Sequence, residues 1–122
     1  MGVTFFRIAA ALCLVAVGLG AFGAHTLKET LQAGGMLDAW NKAVLYHLVH
    51  AVALVALTLH GSGNRTAYGL LAAGILFFSG SLYAMALLPH LRGWFGPITP
   101  LGGLCFLAGW AWLIVSPPKI QL

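Results

Sequence analysis

Hydrophobic residues fill four long stretches of the chain, and most polar residues lie in the segments between them. The stretches cover about residues 3–24, 43–60, 66–88 and 98–115. Each has about the 20 residues that an α-helix needs to cross a hydrocarbon layer about 30 Å thick. A transmembrane β-barrel would instead show alternating strands of about ten residues. The pattern therefore predicts four membrane-spanning helices.

The first stretch also has features of a secretory signal peptide. Arg7 precedes most of its apolar core, and the small-residue sequence AFGA follows at 21–24. The apolar core is longer than the roughly 7–15 residues of a signal peptide. We therefore interpret it as a retained membrane helix.

Short polar segments connect the stretches, with one exception. GSGNR at 61–65 and PHLRGWFGP at 89–97 predict tight connections, whereas HTLKETLQAGGMLDAWNK at 25–42 is long enough for an element of its own. Thr26 and Glu29 have the spacing of a capping box. We predict a short helix on the membrane surface within 25–42, followed by the lead-in to the second span.

Several residues near the ends of the spans predict local contacts. Asp38 and Lys42 have the i, i+4 spacing of an ion pair on a helix. Trp40 and Trp94 are expected at the membrane–water boundary, where tryptophan is enriched. Thr99 is expected to cap the fourth helix, with Pro100 in its first turn.

Composition agrees with a membrane location. The chain is 61% hydrophobic and 7% charged, whereas soluble domains average about 45–50% apolar and about 25% charged residues. The net charge of +4 comes from dispersed basic residues without a basic cluster, so nothing indicates a nucleic-acid partner. We predict one all-α domain over residues 1–122, a four-helix transmembrane bundle with a short interfacial helix between the first two spans.

Four spans place both termini on one side of the membrane. Basic residues near the spans normally decide which side is cytoplasmic. Here the two sides carry equal numbers, so the orientation stays open. The terminal side has Arg7, Arg65 and Lys119, and the other side has Lys28, Lys42 and Arg92.

Small residues recur along the predicted spans. Apolar helices in lipid associate through close packing, which small residues allow. We predict that these positions are helix contacts, although they could also make room for a flat cofactor. They are Ala16, Gly20 and Ala24 in the first span, Gly69, Ala73, Gly80 and Ala84 in the third, and Gly102 and Gly109 in the fourth.

Polar side chains are concentrated at the end of the spans that carries the long connection. Ser79, Tyr83 and His90 share one face of the third span, at spacings of i, i+4 and i+11. His47 and His50 lie one turn apart in the second span, and we expect them to face Ser79 and Tyr83. The candidate polar pocket comprises His25, Tyr46, His47, His50, Ser79, Tyr83, His90 and Thr99.

Three interpretations of this pocket are open. The histidines could form hydrogen bonds between helices, because a neutral imidazole both donates and accepts and polar groups in membranes face the bundle interior. The pocket could handle a proton or hold a quinone-like ligand. Ligation of a metal or of b-type haem is the third interpretation, but haem needs histidines on opposed helices, which this spacing does not indicate.

The spans contain no set of residues that indicates catalysis. Both carboxylates, Glu29 and Asp38, lie in the long connection. Cys13 and Cys105 lack the spacing of a metal site. The sequence therefore predicts no catalytic residue, no metal site and no cofactor, and we do not expect an enzyme.

Four motifs occur in order along the chain: GAFGAH at 20–25, YHLVHA at 46–51, FFSGSLY at 77–83 and GPITPLGGLCFLAGW at 96–110. Together they resemble the bacterial family called domain of unknown function 423, which includes the eukaryotic relative named transmembrane protein 256. The resemblance covers nearly the whole chain. It implies a small multi-pass protein of the inner or plasma membrane with four spans, and it supplies no catalytic residue.

Three functions remain as hypotheses. The first is a non-enzymatic accessory or structural subunit, with the lipid bilayer and a larger membrane complex or a second copy as partners. The second is a ligand-binding or redox module that uses the polar pocket. The third is a small transporter or channel, which would need a continuous polar path and usually shows inverted repeats and broken helices.

Overall fold

The computed structural model describes residues 1–61 and 64–120, and within them it contains helices and no β-strand. Four helices are long and apolar enough to cross a membrane, which confirms the predicted all-α transmembrane fold. Ser62 and Gly63, in the predicted 61–65 turn, lie outside the described residues. The helices are α1 (Val3–Ala24), α2 (Lys28–Ala33), α3 (Leu37–His60), α4 (Arg65–Leu87), α5 (Arg92–Phe95) and α6 (Ile98–Val115).

The predicted ends agree closely with the structure for three spans and less well for α3. This helix begins at Leu37 rather than near residue 43. Its first turns are polar, and the predicted pair of Asp38 and Lys42 is present there, with 3.0 Å between carboxylate and ammonium. The second membrane helix therefore extends beyond its apolar run toward the long connection.

The long connection contains the predicted short helix, but the capping box is wrong. Leu27 occupies the N-cap of α2, and no side chain caps this end. Thr26 therefore lies before the N-cap, too early to cap the helix. Leu31 is fully buried, and Arg92 donates a hydrogen bond to the Gly34 carbonyl at 3.2 Å. These contacts hold the connection against the bundle.

Helices α3 and α4 form the centre of the molecule. Helix α1 packs along α3, and α6 packs along α4, so the two outer helices lie at opposite edges of the central pair. In the most apolar 18-residue segment of each central helix, 33% is buried inside the protein, compared with 11% for α1 and 17% for α6. The outer helices therefore leave most of their apolar surface uncovered.

Small residues bring α1 close to α3. A Cβ at Gly20 would lie 3.1 Å from Val44, and one at Gly23 would overlap the Trp40 ring. Trp40 is fully buried and donates its indole N–H to the Leu19 carbonyl at 2.9 Å. Gly23 leaves room for the Trp40 ring inside the bundle, and the position of Trp40 at the membrane–water boundary stays a prediction.

Glycines also bring α6 close to α4. A Cβ at Gly102 would overlap the backbone at Phe78, and one at Gly109 would lie 2.7 Å from Leu71. Conversely, Gly74 of α4 receives the ring of Phe106. The two glycines that we predicted on α6 are therefore helix contacts.

For two of the four small residues predicted as helix contacts on the third span, Gly69 and Gly80, the prediction is wrong. Gly69 has no neighbouring atom that an added Cβ would meet, and Gly80 would meet only the carbonyl of Ile75 in its own helix. Between them, α4 contains a π-helical segment, Ile75–Ser79. A wider turn rotates the residues that follow, so positions before and after it do not share the face that regular α-helical spacing predicts.

Candidate functional site

The predicted polar residues do not form one pocket. The structure divides most of them among three separate groups of hydrogen bonds, each of which joins different helices. His47 is bonded to Tyr83, His50 to Trp110, and Thr99 to Ser81. The partners in each group decide which nitrogen and hydroxyl atoms are left for other chemistry.

His47 and Tyr83 connect α3 to α4. The Nδ1 atom of His47 lies 3.0 Å from the Tyr83 hydroxyl, and the Tyr83 ring packs on Trp40 with 4.9 Å between ring centroids. The backbone of Leu12 in α1 lies beside the His47 ring. The Nε2 atom of His47 is buried and has no hydrogen-bond partner among residues 1–61 and 64–120.

His50 uses both of its ring nitrogens. Nδ1 lies 2.7 Å from the Tyr46 carbonyl one turn earlier, and Nε2 lies 3.0 Å from the indole nitrogen of Trp110. A carbonyl only accepts and an indole N–H only donates. These partners therefore require a neutral His50 with its proton on Nδ1. The ring also stacks on Phe106, with 3.8 Å between centroids.

Two serines in α4 bond to the neighbouring helices. Ser79 is fully buried and donates to the Ala43 carbonyl at 2.7 Å. The hydroxyls of Ser81 and Thr99 lie 2.5 Å apart. Thr99 does not cap the fourth helix as predicted, because α6 begins at Ile98 with Pro97 at its N-cap. Its hydroxyl instead joins α6 to α4.

The remaining candidates, His25, Tyr46 and His90, are exposed. Tyr46 accepts a hydrogen bond from His50 through its backbone carbonyl. His25 lies just after the end of α1, and His90 lies just after the end of α4. The side chains of His47 and His50 point in different directions. Residues three positions apart on a helix of 3.6 residues per turn differ by about 60° in direction. His47 thus faces α4 and α1, whereas His50 faces α6.

An apolar groove opens beside His50 on the lipid-facing side of the molecule. Its volume is about 640 Å³. Tyr46, Leu104 and Leu107 are 43%, 60% and 68% exposed, so the groove is open laterally. The aromatic residues that line it are Tyr46, Phe78, Phe106 and Trp110, with His50 at its base.

Sequence reasoning missed Trp110 and Phe106. Both lie within an uninterrupted apolar run, where aromatic residues normally indicate packing or a lipid contact. In the described part of the chain, no three histidine, cysteine or carboxylate side chains are grouped as they would be around a metal ion. Cys13 and Cys105 are both free thiols.

Comparison with known proteins gives consistent matches along most of the chain. The family model described as "Protein of unknown function (DUF423)" matches residues 19–103. A UPF0382 membrane protein of Schizosaccharomyces pombe is 39% identical over 117 residues, which cover 92% of this chain and 99% of the relative. No solved structure matches at a significant level.

Bacterial relatives extend this similarity. A UPF0382 membrane protein of Staphylococcus haemolyticus is 44% identical and covers 93% of this chain and 95% of its own length. A UPF0382 inner membrane protein of Escherichia coli is 39% identical, with 96% and 92% covered. The similarity therefore extends over the part of the chain that contains the four long helices.

Proposed function

The chain belongs to the DUF423 family of membrane proteins, and we propose that it acts as a non-enzymatic accessory subunit of a larger assembly in the cell membrane. One observation carries this proposal. The polar side chains of the spans are largely used in bonds between helices, whereas the outer faces of α1 and α6 are apolar and uncovered.

Both outer faces carry large exposed side chains. Leu14 and Val17 of α1 are 75% and 60% exposed, and Leu107 and Ile114 of α6 are 68% and 80% exposed. Lipid alone can cover such faces. A partner helix can cover them too, and a small membrane protein without a chemical site acts most simply by binding another protein.

The cell membrane is the proposed location. The Escherichia coli relative is named an inner membrane protein, and four spans make this chain a multi-pass protein with both termini on one side. A second copy of the chain is an alternative partner, because the same two faces are available for association between copies.

Photo-crosslinking in intact membranes tests the accessory function. A photoreactive amino acid at Leu14 or Ile114 should give a discrete protein adduct at one of the two outer faces. Leu54, which is fully buried, is the matched control and should give no adduct. Differently tagged copies of the chain distinguish a second copy from another protein. Lipid adducts alone at both faces would contradict the proposal.

The groove beside His50 supports ligand binding as a second candidate function. Four aromatic rings and an imidazole line a space of about 640 Å³, which suits a flat apolar molecule such as a quinone-like ligand. Haem ligation is less well supported, because both nitrogens of His50 already have partners. Solvent extraction of the purified protein, followed by chromatography with absorbance detection, tests this function. An extract with lipids only would contradict it.

A further inference from the structure

A second pocket, separate from the histidine groups, lies at the terminal end of the molecule. It is about 960 Å³ in volume and is bounded by the end of α3, the start of α4 and the segment that follows α6. It faces the side of the membrane on which both termini lie. Its polar and aromatic lining includes His60, Asn64, Arg65, Trp112, Ser116 and Lys119.

Contacts between helices hold the walls of this pocket in place. The Asn64 side chain donates to the Ser116 carbonyl at 3.2 Å, which ties the segment after α6 to the start of α4. The Arg65 guanidinium lies over the Phe5 ring, 5.6 Å from its centroid. The Tyr68 hydroxyl donates to the Phe5 carbonyl at 2.8 Å. Arg65 is therefore supported by α1 as well as by its own helix.

No carboxylate side chain lies near the positive charge of this pocket within residues 1–61 and 64–120. The chain has two acidic residues, Glu29 and Asp38, and both lie at the opposite end of the spans. Asp38 is also paired with Lys42. In the described part of the chain, Arg65 and Lys119 have no carboxylate partner at the terminal end, so an anion bound there would complete the charge balance.

We propose that this pocket binds the phosphate headgroup of an anionic phospholipid, with Arg65 and Lys119 as its cationic contacts. Basic pockets at the ends of membrane helices are suited to anionic headgroups. Trp112 and Ile120 add an apolar wall. Val115, which is 74% exposed, lies three residues after Trp112 on the same side of α6, and acyl chains can lie along this surface. This apolar surface favours a lipid over a soluble phosphate compound.

Thermal unfolding of the full chain in dodecyl maltoside, after removal of bound lipid, tests this proposal. A ligand that binds only the folded state raises the melting temperature. We expect dioleoyl phosphatidylglycerol to raise it and dioleoyl phosphatidylcholine to leave it unchanged. Glycerol phosphate, which has the charge without the acyl chains, should also have no effect. A rise with glycerol phosphate alone would show that the ligand is a soluble phosphate compound.

Charge variants identify the binding position. The double variant Arg65→Gln, Lys119→Gln should need about 30-fold more phosphatidylglycerol for the same shift, from the loss of two cations near an anionic headgroup. Arg65→Lys with Lys119→Arg should keep the response, because both charges remain. Arg7→Gln is the matched control: it removes a cation on the same side but outside this pocket, and should respond as the unmodified chain does.

Two results would overturn the proposal. One is an unchanged response in the double variant, and the other is an equal loss in Arg7→Gln, which would indicate general charge attraction. If the double variant does not fold, Lys119→Gln alone replaces it, because Lys119 lies beyond the end of α6. That single variant should still need several-fold more phosphatidylglycerol, and an unchanged requirement would contradict the assignment.

Discussion

Trp110 donates its indole N–H to Nε2 of His50 at 3.0 Å and thereby joins α6 to α3. On the other side of the ring, Nδ1 of His50 bonds to the Tyr46 carbonyl. A polar side chain within a membrane helix must find a partner in the protein or reach the interface. His50 finds two partners, and both belong to the bundle.

A double-mutant cycle should detect the bond between these two residues. We expect the double variant His50→Leu, Trp110→Phe to lose less free energy of unfolding than the sum of the two single variants. The second change removes a group whose partner is already lost. Such bonds in membrane proteins contribute on average about 0.6 kcal/mol, and at most about 1.7 kcal/mol. Unfolding by sodium dodecyl sulfate in mixed micelles gives the free energies. Strict additivity would show that the bond contributes nothing.

Glycine positions should divide into sensitive and tolerant sites. Gly102→Ala should destabilise the protein by about 1–3 kcal/mol, the usual effect of overpacking, because its Cβ would overlap backbone atoms at Phe78, which cannot move aside easily. Gly69→Ala is the matched control, since nothing lies where its Cβ would be. Thermal melts in detergent compare the two. Equal melting temperatures would show that α4 and α6 separate readily.

The sequence predicts the spans well because membrane helices are defined by long apolar runs. The first and fourth agree with α1 and α6 at both ends. It predicts helix faces less well. The stripe through Gly69 and Gly80 assumed regular α-helical spacing, and the π-helical segment Ile75–Ser79 is not apparent in an apolar run. One irregular turn was enough to misplace the contacts of the third span.

The partner of His50 was missed for a related reason. Counted from the predicted start at residue 43, His50 lies about 10 Å into its helix, at 1.5 Å per residue. Counted from the observed start at Leu37, it lies about 20 Å deep, close to the depth of about 18 Å for Trp110 in α6. The first six residues of α3, 37–42, are largely polar, so the apolar run alone does not predict that they belong to this helix.

Both termini should be accessible from the same side of the membrane. Cysteine at position 2 or position 120, introduced after Cys13 and Cys105 are replaced by alanine, should react with an impermeant maleimide in the same preparation of sealed vesicles. A cysteine at Gln32 in α2 is the control and should react only from the other side. Labelling of positions 2 and 120 from opposite sides would contradict the even number of spans.

The two histidines of α3 should respond to different extents to the same substitution. His47→Leu removes one bond, to the Tyr83 hydroxyl, together with the buried Nε2 that has no partner in the described residues. An unsatisfied buried polar atom costs about 1–3 kcal/mol, which is more than such a bond contributes. His47→Leu also leaves the Tyr83 hydroxyl without this partner, which offsets the gain from removing Nε2. We therefore expect His47→Leu to change the free energy of unfolding little.

His50→Leu is the matched control, because it makes the same change one turn later in the same helix. It removes two bonds and leaves the Trp110 N–H without its acceptor, so we expect it to lower the free energy of unfolding by about 1–3 kcal/mol. Unfolding of both variants in the same mixed micelles gives the comparison. If His47→Leu is the more destabilising of the two, then Nε2 of His47 has a partner in the membrane, such as an ordered water molecule beside the Leu12 backbone.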